Sequence, residues 1–112
     1  MSQQTQTVLD SLNGTVNQLY LTINSATTPS DVRLAASTEY IEVSNRLQML
    51  LGMAIGQEIA NLTPSVASIA TAQAALKEAA GTAASAKAVL DTSTQYLTYV
   101  DNFIDLLKPF LK

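Results

Sequence analysis

Apolar residues recur every seven positions through the C-terminal half of the chain. Two rows at this spacing form one stripe on a helix, which is the pattern of a coiled-coil seam. The spacing continues unchanged across Gly81, so we predict one helix over about 64–108. The first row is Ile69, Leu76, Ala83, Leu90, Leu97, Ile104 and Leu111, and the second is Ala72, Ala79, Ala86, Ser93, Val100 and Leu107.

Two further apolar stripes at helical spacing precede the seam. Val8, Leu12, Val16, Leu19 and Ile23 predict a first helix over about 5–25. Val32, Ala36, Tyr40, Val43, Leu47, Leu50 and Ala54 predict a second over about 29–62. Thr-Pro pairs at 28–29 and 63–64 supply start signals for the second and third helices. We therefore expect a single all-α domain over 1–112, folded as an antiparallel three-helix bundle.

The predicted third helix is longer than its neighbours. If it forms an antiparallel hairpin with the second helix, residues about 98–112 project past the bundle as an overhang. A helix end this apolar needs a cover, so we predict a partner interface there. Its residues are Leu97, Val100, Phe103, Ile104, Leu107, Phe110 and Leu111. Gly52 and Gly56, four residues apart, predict a point where two helix backbones approach closely.

Charge and composition restrict the partners. The 112 residues are 47% hydrophobic and only 13% charged, with a net charge of −3. The six basic residues are scattered, so nucleic acid is not an expected partner. We find neither a signal-peptide pattern at the start nor an apolar run long enough to cross a bilayer, and expect a soluble chain. The absence of cysteine leaves its cellular compartment open.

The sequence contains no histidine and no cysteine. This excludes Cys-His and Ser-His-Asp machinery and zinc sites built on imidazole or thiolate, so we expect no metal, no cofactor and no enzymatic activity. The remaining catalytic option is carboxylate chemistry. Glu39 with Glu42, and Asp101 with Asp105, share helix faces, and Glu58 is a further candidate. The simpler interpretation of these acids is a solvated helix surface.

These features favour a non-enzymatic helical interaction or assembly protein. We expect it to self-associate, or to bind another helical protein, through coiled-coil-like packing of the third helix. The alternative is a membrane-active protein, such as a toxin or pore-forming component, that inserts segment 49–56 or its C-terminal segment after rearrangement. A membrane surface is the weaker expectation as a partner, because surface-bound helices are usually richer in lysine and arginine.

Overall fold

The computed structural model describes residues 2–53, 58–83 and 85–110. All regular secondary structure in these residues is helical, and none of them lies in a strand. The helices are α1 (Gln3–Asn24), α2 (Ser30–Leu51), α3 (Thr63–Thr82) and α4 (Ala86–Leu107). Short 3₁₀ turns lie at Ala60–Leu62 and Lys108–Phe110. The all-helical prediction is confirmed, whereas the prediction of three helices is wrong.

The predicted third helix is divided between Thr82 and Ala86. Ala83 adopts a left-handed conformation, with φ 49° and ψ 41°, and its N–H donates to the carbonyls of the last α3 turn. Ser85 then caps α4, its hydroxyl accepting from the Ala88 N–H at 3.0 Å. Heptad spacing failed to reveal this break because it reports only which side of a helix is buried. A three-residue connection is close to one helical turn, so it left the spacing unchanged.

The four helices form two hairpins, α1–α2 (hairpin 1) and α3–α4 (hairpin 2), that pack side by side. The first helices of the two hairpins are parallel. Gln4 contacts Thr63 where both helices begin, and Thr22 donates to the Ala80 carbonyl at 2.9 Å near their ends.

The second helices of the hairpins are parallel as well. The Ser93 hydroxyl donates to Glu39 at 2.7 Å, and two turns further along Arg46 bonds to Asp101 at 3.0 Å. The main neighbours of α2 are thus α1 and α4. The predicted hairpin between the second and third helices is wrong, because α4 rather than α3 lies along α2.

Specific hydrogen bonds hold described residues at both ends of the bundle. The Arg33 guanidinium donates to the Ser25 and Thr28 carbonyls and closes the turn between α1 and α2. At the opposite end of the bundle the Gln4 amide pairs with the Ile59 backbone, donating to its carbonyl at 2.9 Å and accepting from its N–H at 2.8 Å. Gln4 therefore ties Ile59, shortly before α3, to the start of α1.

All four helices contribute to one apolar core. Its largest fully buried side chains include Tyr96, Phe103, Leu12, Leu50 and Leu76. Burying an aliphatic or aromatic side chain of this size stabilises the fold by about 1.5–3 kcal/mol. Four residues of the predicted seam, Leu97, Val100, Ile104 and Leu107, lie in this core because α4 turns back along α3. The break thus removes the geometry from which we predicted an overhang at 98–112.

Candidate interaction surface

The residues predicted to form a partner interface lie mainly inside the bundle. Only Phe110 remains substantially exposed, at 41%, and Leu111 lies outside the described residues. The other five side chains have relative exposures of 9% or less and belong to the core: Leu97, Val100, Phe103, Ile104 and Leu107. In this fold they hold α4 against its own chain.

The two glycines predicted to allow close helix packing occupy the end of α2. Gly52 follows the last residue of α2 and is exposed, and its N–H donates to the Gln48 carbonyl at 3.3 Å. Gly56 lies outside the described residues. Gly52, the described residue of this pair, therefore lies at the C-terminal end of α2.

The acidic side chains on α2 have separate structural partners. Glu39 is buried and accepts from Ser93, whereas Glu42 is half-buried and pairs with Arg46 at 2.5 Å. Arg46 bridges to Asp101 on α4, so it joins an acid within its own helix to an acid in the other hairpin. Glu39 therefore joins the two hairpins directly through Ser93, whereas Glu42 acts through Arg46.

The remaining candidate acids lie in two further places. Asp105 pairs with Lys108 at 3.1 Å on the surface of α4. Glu58 accepts a 2.6 Å hydrogen bond from the Gln3 N–H at the start of α1. Across residues 2–53, 58–83 and 85–110, no three acidic side chains come together in an arrangement that could hold a metal ion.

A buried polar contact joins the two hairpins near the middle of the bundle. The Tyr96 hydroxyl and the Ser11 hydroxyl share a 2.9 Å hydrogen bond, and Tyr96 is fully buried. Burial raises the pKa of Tyr96, and hydrogen bonding to Ser11 and Thr15 opposes that rise. A neutral hydroxyl that is fully bonded in this way fixes the register of α1 and α4 and offers no free reactive group.

Two open clefts lie between α1 and α3. One, of about 510 Å³, includes Gln4, Thr7, Glu58 and Val66 in its lining, and Glu58 there is already bonded to the start of α1. The other, of about 450 Å³, lies at the opposite end and is lined by uncharged residues of α1, α3 and the residues that follow each of these helices. Neither brings together the convergent charged groups expected of a small-molecule site.

The outward side of α2 exposes large apolar residues at heptad spacing. Leu34 is 70% exposed and Ile41 is 59% exposed, both on the side of the helix opposite Val43 and Leu50, which are fully buried. We call this surface the α2 strip and define it by five exposed residues: Leu34, Thr38, Ile41, Asn45 and Gln48. Met49, 52% exposed, lies beside its C-terminal end.

The α2 strip is uncharged along its whole length, unlike the exposed side of α4. There Lys87 pairs with Asp91 and Asp105 pairs with Lys108. The neighbouring α1 contributes a single charged residue, Asp10. The strip therefore combines exposed Leu and Ile with hydroxyl and amide groups that can both donate and accept hydrogen bonds.

We did not identify this strip from the sequence because the inward stripe of α2 accounted for its apolar pattern. A signal was present: Leu34 and Ile41 lie seven residues apart, outside the inward stripe, and Gln48 continues the row. A second row on the same helix indicates a second contact surface.

Comparison with known proteins adds no assignment. No protein-family model matches the chain, and searches of the curated proteins and of the solved structures gave no significant match. Among the described residues, no helix has the length and hydropathy needed to cross a membrane.

Proposed function

We propose that this chain is a non-enzymatic helical interaction protein that presents the α2 strip to another helical surface. The exposure of Leu34 and Ile41 on the side of α2 that faces away from the core carries this proposal. Water-exposed Leu and Ile in line on one helix are typical of helix-in-groove or coiled-coil recognition.

The proposed interface lies on α2, whereas the interface expected from the sequence lay on the C-terminal helix. The core already contains Ile104 and Leu107, so a contact through either of them would require the bundle to open. The α2 strip needs no such opening, since its side chains are exposed in the closed bundle. Its mechanism is packing, with Leu34 and Ile41 inserting between partner side chains.

A site-specific photo-crosslinking experiment tests the proposal. A photoreactive amino acid replaces Ile41 in one variant and Leu21 in a control variant, because Leu21 is 62% exposed and also lies on a helix. After illumination in the native host, we expect discrete protein adducts from position 41 and none from position 21. Adducts that are equally abundant from both positions, or absent from both, would refute the assignment of the α2 strip.

The membrane-active alternative keeps its own test. Part of its first candidate segment, residues 54–56, lies outside the described residues, and its second candidate contains buried Phe103 and Leu107. Insertion of the second segment would need the core to open, so binding should appear only under destabilising conditions. Co-sedimentation with anionic vesicles that appears once the core is destabilised, and is absent for the native, folded chain, would favour this alternative over the interaction proposal.

A further inference from the structure

We infer that the partner of the α2 strip is a second copy of the same chain, packed with the two α2 helices antiparallel about a two-fold axis near Ile41. This inference rests on the proposed function, since it names the occupant of the surface proposed there. A second copy suits the strip because of an internal repeat, the distribution of charge and the self-complementary chemistry of the strip.

A short sequence repeat relates α2 to α4. Residues 37–41 read STEYI, and residues 93–97 read STQYL, 56 positions later. The same offset aligns the first and last residues of α2 with those of α4, and each helix has 22 residues. The two hairpins therefore contain the same motif at the same depth of their second helices.

The two copies of the motif differ in what covers them. In α4, Tyr96 is 0% exposed and Leu97 is 9% exposed, both packed in the bundle core. In α2, Tyr40 is half-buried and Ile41 is 59% exposed. The apolar residue that ends the motif is thus exposed to solvent on α2 and buried between helices on α4, whereas the α4 counterparts of Leu34 and Thr38, which are Leu90 and Thr94, are exposed. Helices of this same chain therefore already accommodate an apolar side chain at the position equivalent to Ile41.

Charge favours a second copy over a charged partner. The α2 strip has no ionised group, and Asp31 lies at the start of the helix, away from Ile41. Arg46 is held by Glu42 and Asp101 on the side of α2 that faces α4. Two copies of such a surface meet without repulsion, whereas a strongly charged partner would lose hydration without gaining an opposite charge.

An antiparallel arrangement matches unlike residues of the strip. With the two-fold axis at Ile41, the two Ile41 side chains meet, and Leu34 of each copy lies against Gln48 and Met49 of the other. Thr38 then lies close to Asn45, and each of these groups can donate as well as accept a hydrogen bond. The opposed helix dipoles attract in this orientation. The contact is isologous, so it closes at a dimer.

The size of the strip predicts a weak dimer. A 22-residue helix is about 33 Å long, and a contact about 10 Å wide buries roughly 330 Å² on each copy. The total of roughly 660 Å² is well below the ~1,200 Å² of stable interfaces. Flanking side chains add to this area, but we expect dissociation in the micromolar to millimolar range and a population of both species at working concentrations.

Analytical ultracentrifugation of the intact chain over concentrations reaching about 1 mM tests the dimer. We expect the average mass to rise towards twice the monomer mass. Ile41→Glu should raise the dissociation constant at least tenfold, because it buries two carboxylates against each other at the axis. Leu21→Glu is the matched control and should leave the dissociation constant unchanged. Circular dichroism checks that both variants keep the helical content of the parent.

Disulfide trapping tests the orientation. The chain contains no cysteine, so single substitutions report only the new contact. Under mild oxidation Ile41→Cys should form a covalent dimer, and Leu34→Cys should cross-link with Gln48→Cys when the two variants are mixed. Trapping of Leu34→Cys with itself, without the mixed product, would overturn the antiparallel arrangement.

The outcomes separate this inference from the proposed function. If the parent chain stays monomeric at every concentration, the second copy is excluded, and the proposed function survives only if position 41 still gives adducts with another protein. If the parent dimerises and Ile41→Glu dimerises equally, the contact lies elsewhere and the inference is wrong. A monomeric chain without adducts at position 41 overturns both.

Discussion

The break between α3 and α4 depends on one backbone conformation, and replacing Ala83 by glycine tests it. Ala83 has φ 49° and ψ 41°, the left-handed region in which Cβ crowds the following carbonyl. It is the only non-glycine residue with positive φ in the described part of the chain. Glycine has no Cβ and adopts this conformation freely.

The expected free-energy change is the sum of three contributions. The left-handed conformation costs an alanine roughly 1–2 kcal/mol, which glycine recovers. Glycine also makes the unfolded chain more flexible, which costs about 0.4–1 kcal/mol. The Ala83 methyl packs partly against Val32, Ala35 and Val89, and its loss costs less than the roughly 0.8 kcal/mol of a fully buried methylene. With mid-range values, Ala83→Gly gives a net stabilisation of about 0.4 kcal/mol, and the limits of the three contributions are about −0.8 and +1.6 kcal/mol.

A continuous helix predicts the opposite sign. Within a helix, exchanging alanine for glycine lowers the free energy of unfolding by about 0.8–1 kcal/mol. Ala74→Gly provides that reference, because Ala74 is exposed in the interior of α3. Urea unfolding followed by circular dichroism measures the free energy of unfolding of the parent and of both variants. If Ala83→Gly destabilises the chain as much as Ala74→Gly does, the left-handed break and the four-helix arrangement built on it are wrong.

Two further contacts give predictions of their own. Tyr96→Phe removes a hydrogen bond to Ser11 and should lower the free energy of unfolding by about 1 kcal/mol. Because burial raises the pKa of Tyr96, the unfolded chain releases the tyrosine proton first, and stability should fall as pH rises through the ordinary tyrosine pKa of about 10. This fall should be smaller in Tyr96→Phe. Equal slopes of the free energy of unfolding against pH in the parent and in the variant, measured by urea unfolding, would contradict the prediction. Gln4→Ala deletes both bonds to the Ile59 backbone, so the Ile59 amide should exchange with solvent at least several-fold faster while exchange at the core amides changes little, as measured by hydrogen-exchange NMR. Unchanged exchange at Ile59 would show that other contacts hold the crossover segment.

Local sequence patterns were sufficient for the all-helical class and for much of the core, although not for the number of helices. The inward stripe of α1 is an example: Leu12 and Leu19 were predicted to face a core and are both fully buried. In the predicted seam, Ile69, Leu76 and Val100 are buried as well. Such predictions succeed because a helix must bury its apolar side, and its period of 3.6 residues makes that side visible in the sequence.

Helix ends and neighbours were less accessible. Thr28 was expected to cap α2, yet Pro29 occupies the N-cap position and no side chain caps this helix. The left-handed residue is Ala83, which is neither glycine nor asparagine. Gly81, two residues earlier, was a possible stop signal, but the unchanged heptad spacing across it favoured one continuous helix. The candidate surface was missed for a related reason: Leu34 and Ile41 are apolar like the core residues, and only the direction in which α2 faces makes them exposed.

The sequence by itself therefore determined that the chain is helical, which sides of its helices are apolar and that charged groups are few, because these depend on residue type and spacing along one chain. The tertiary structure decided that α4 turns back to cover its own apolar side and that α2 keeps an uncovered one. The packing of the helices depends on contacts between residues far apart in sequence, such as Glu39 with Ser93 and Arg46 with Asp101. The free energy of such a contact depends on both helices together, so it cannot be read from the sequence of either helix alone.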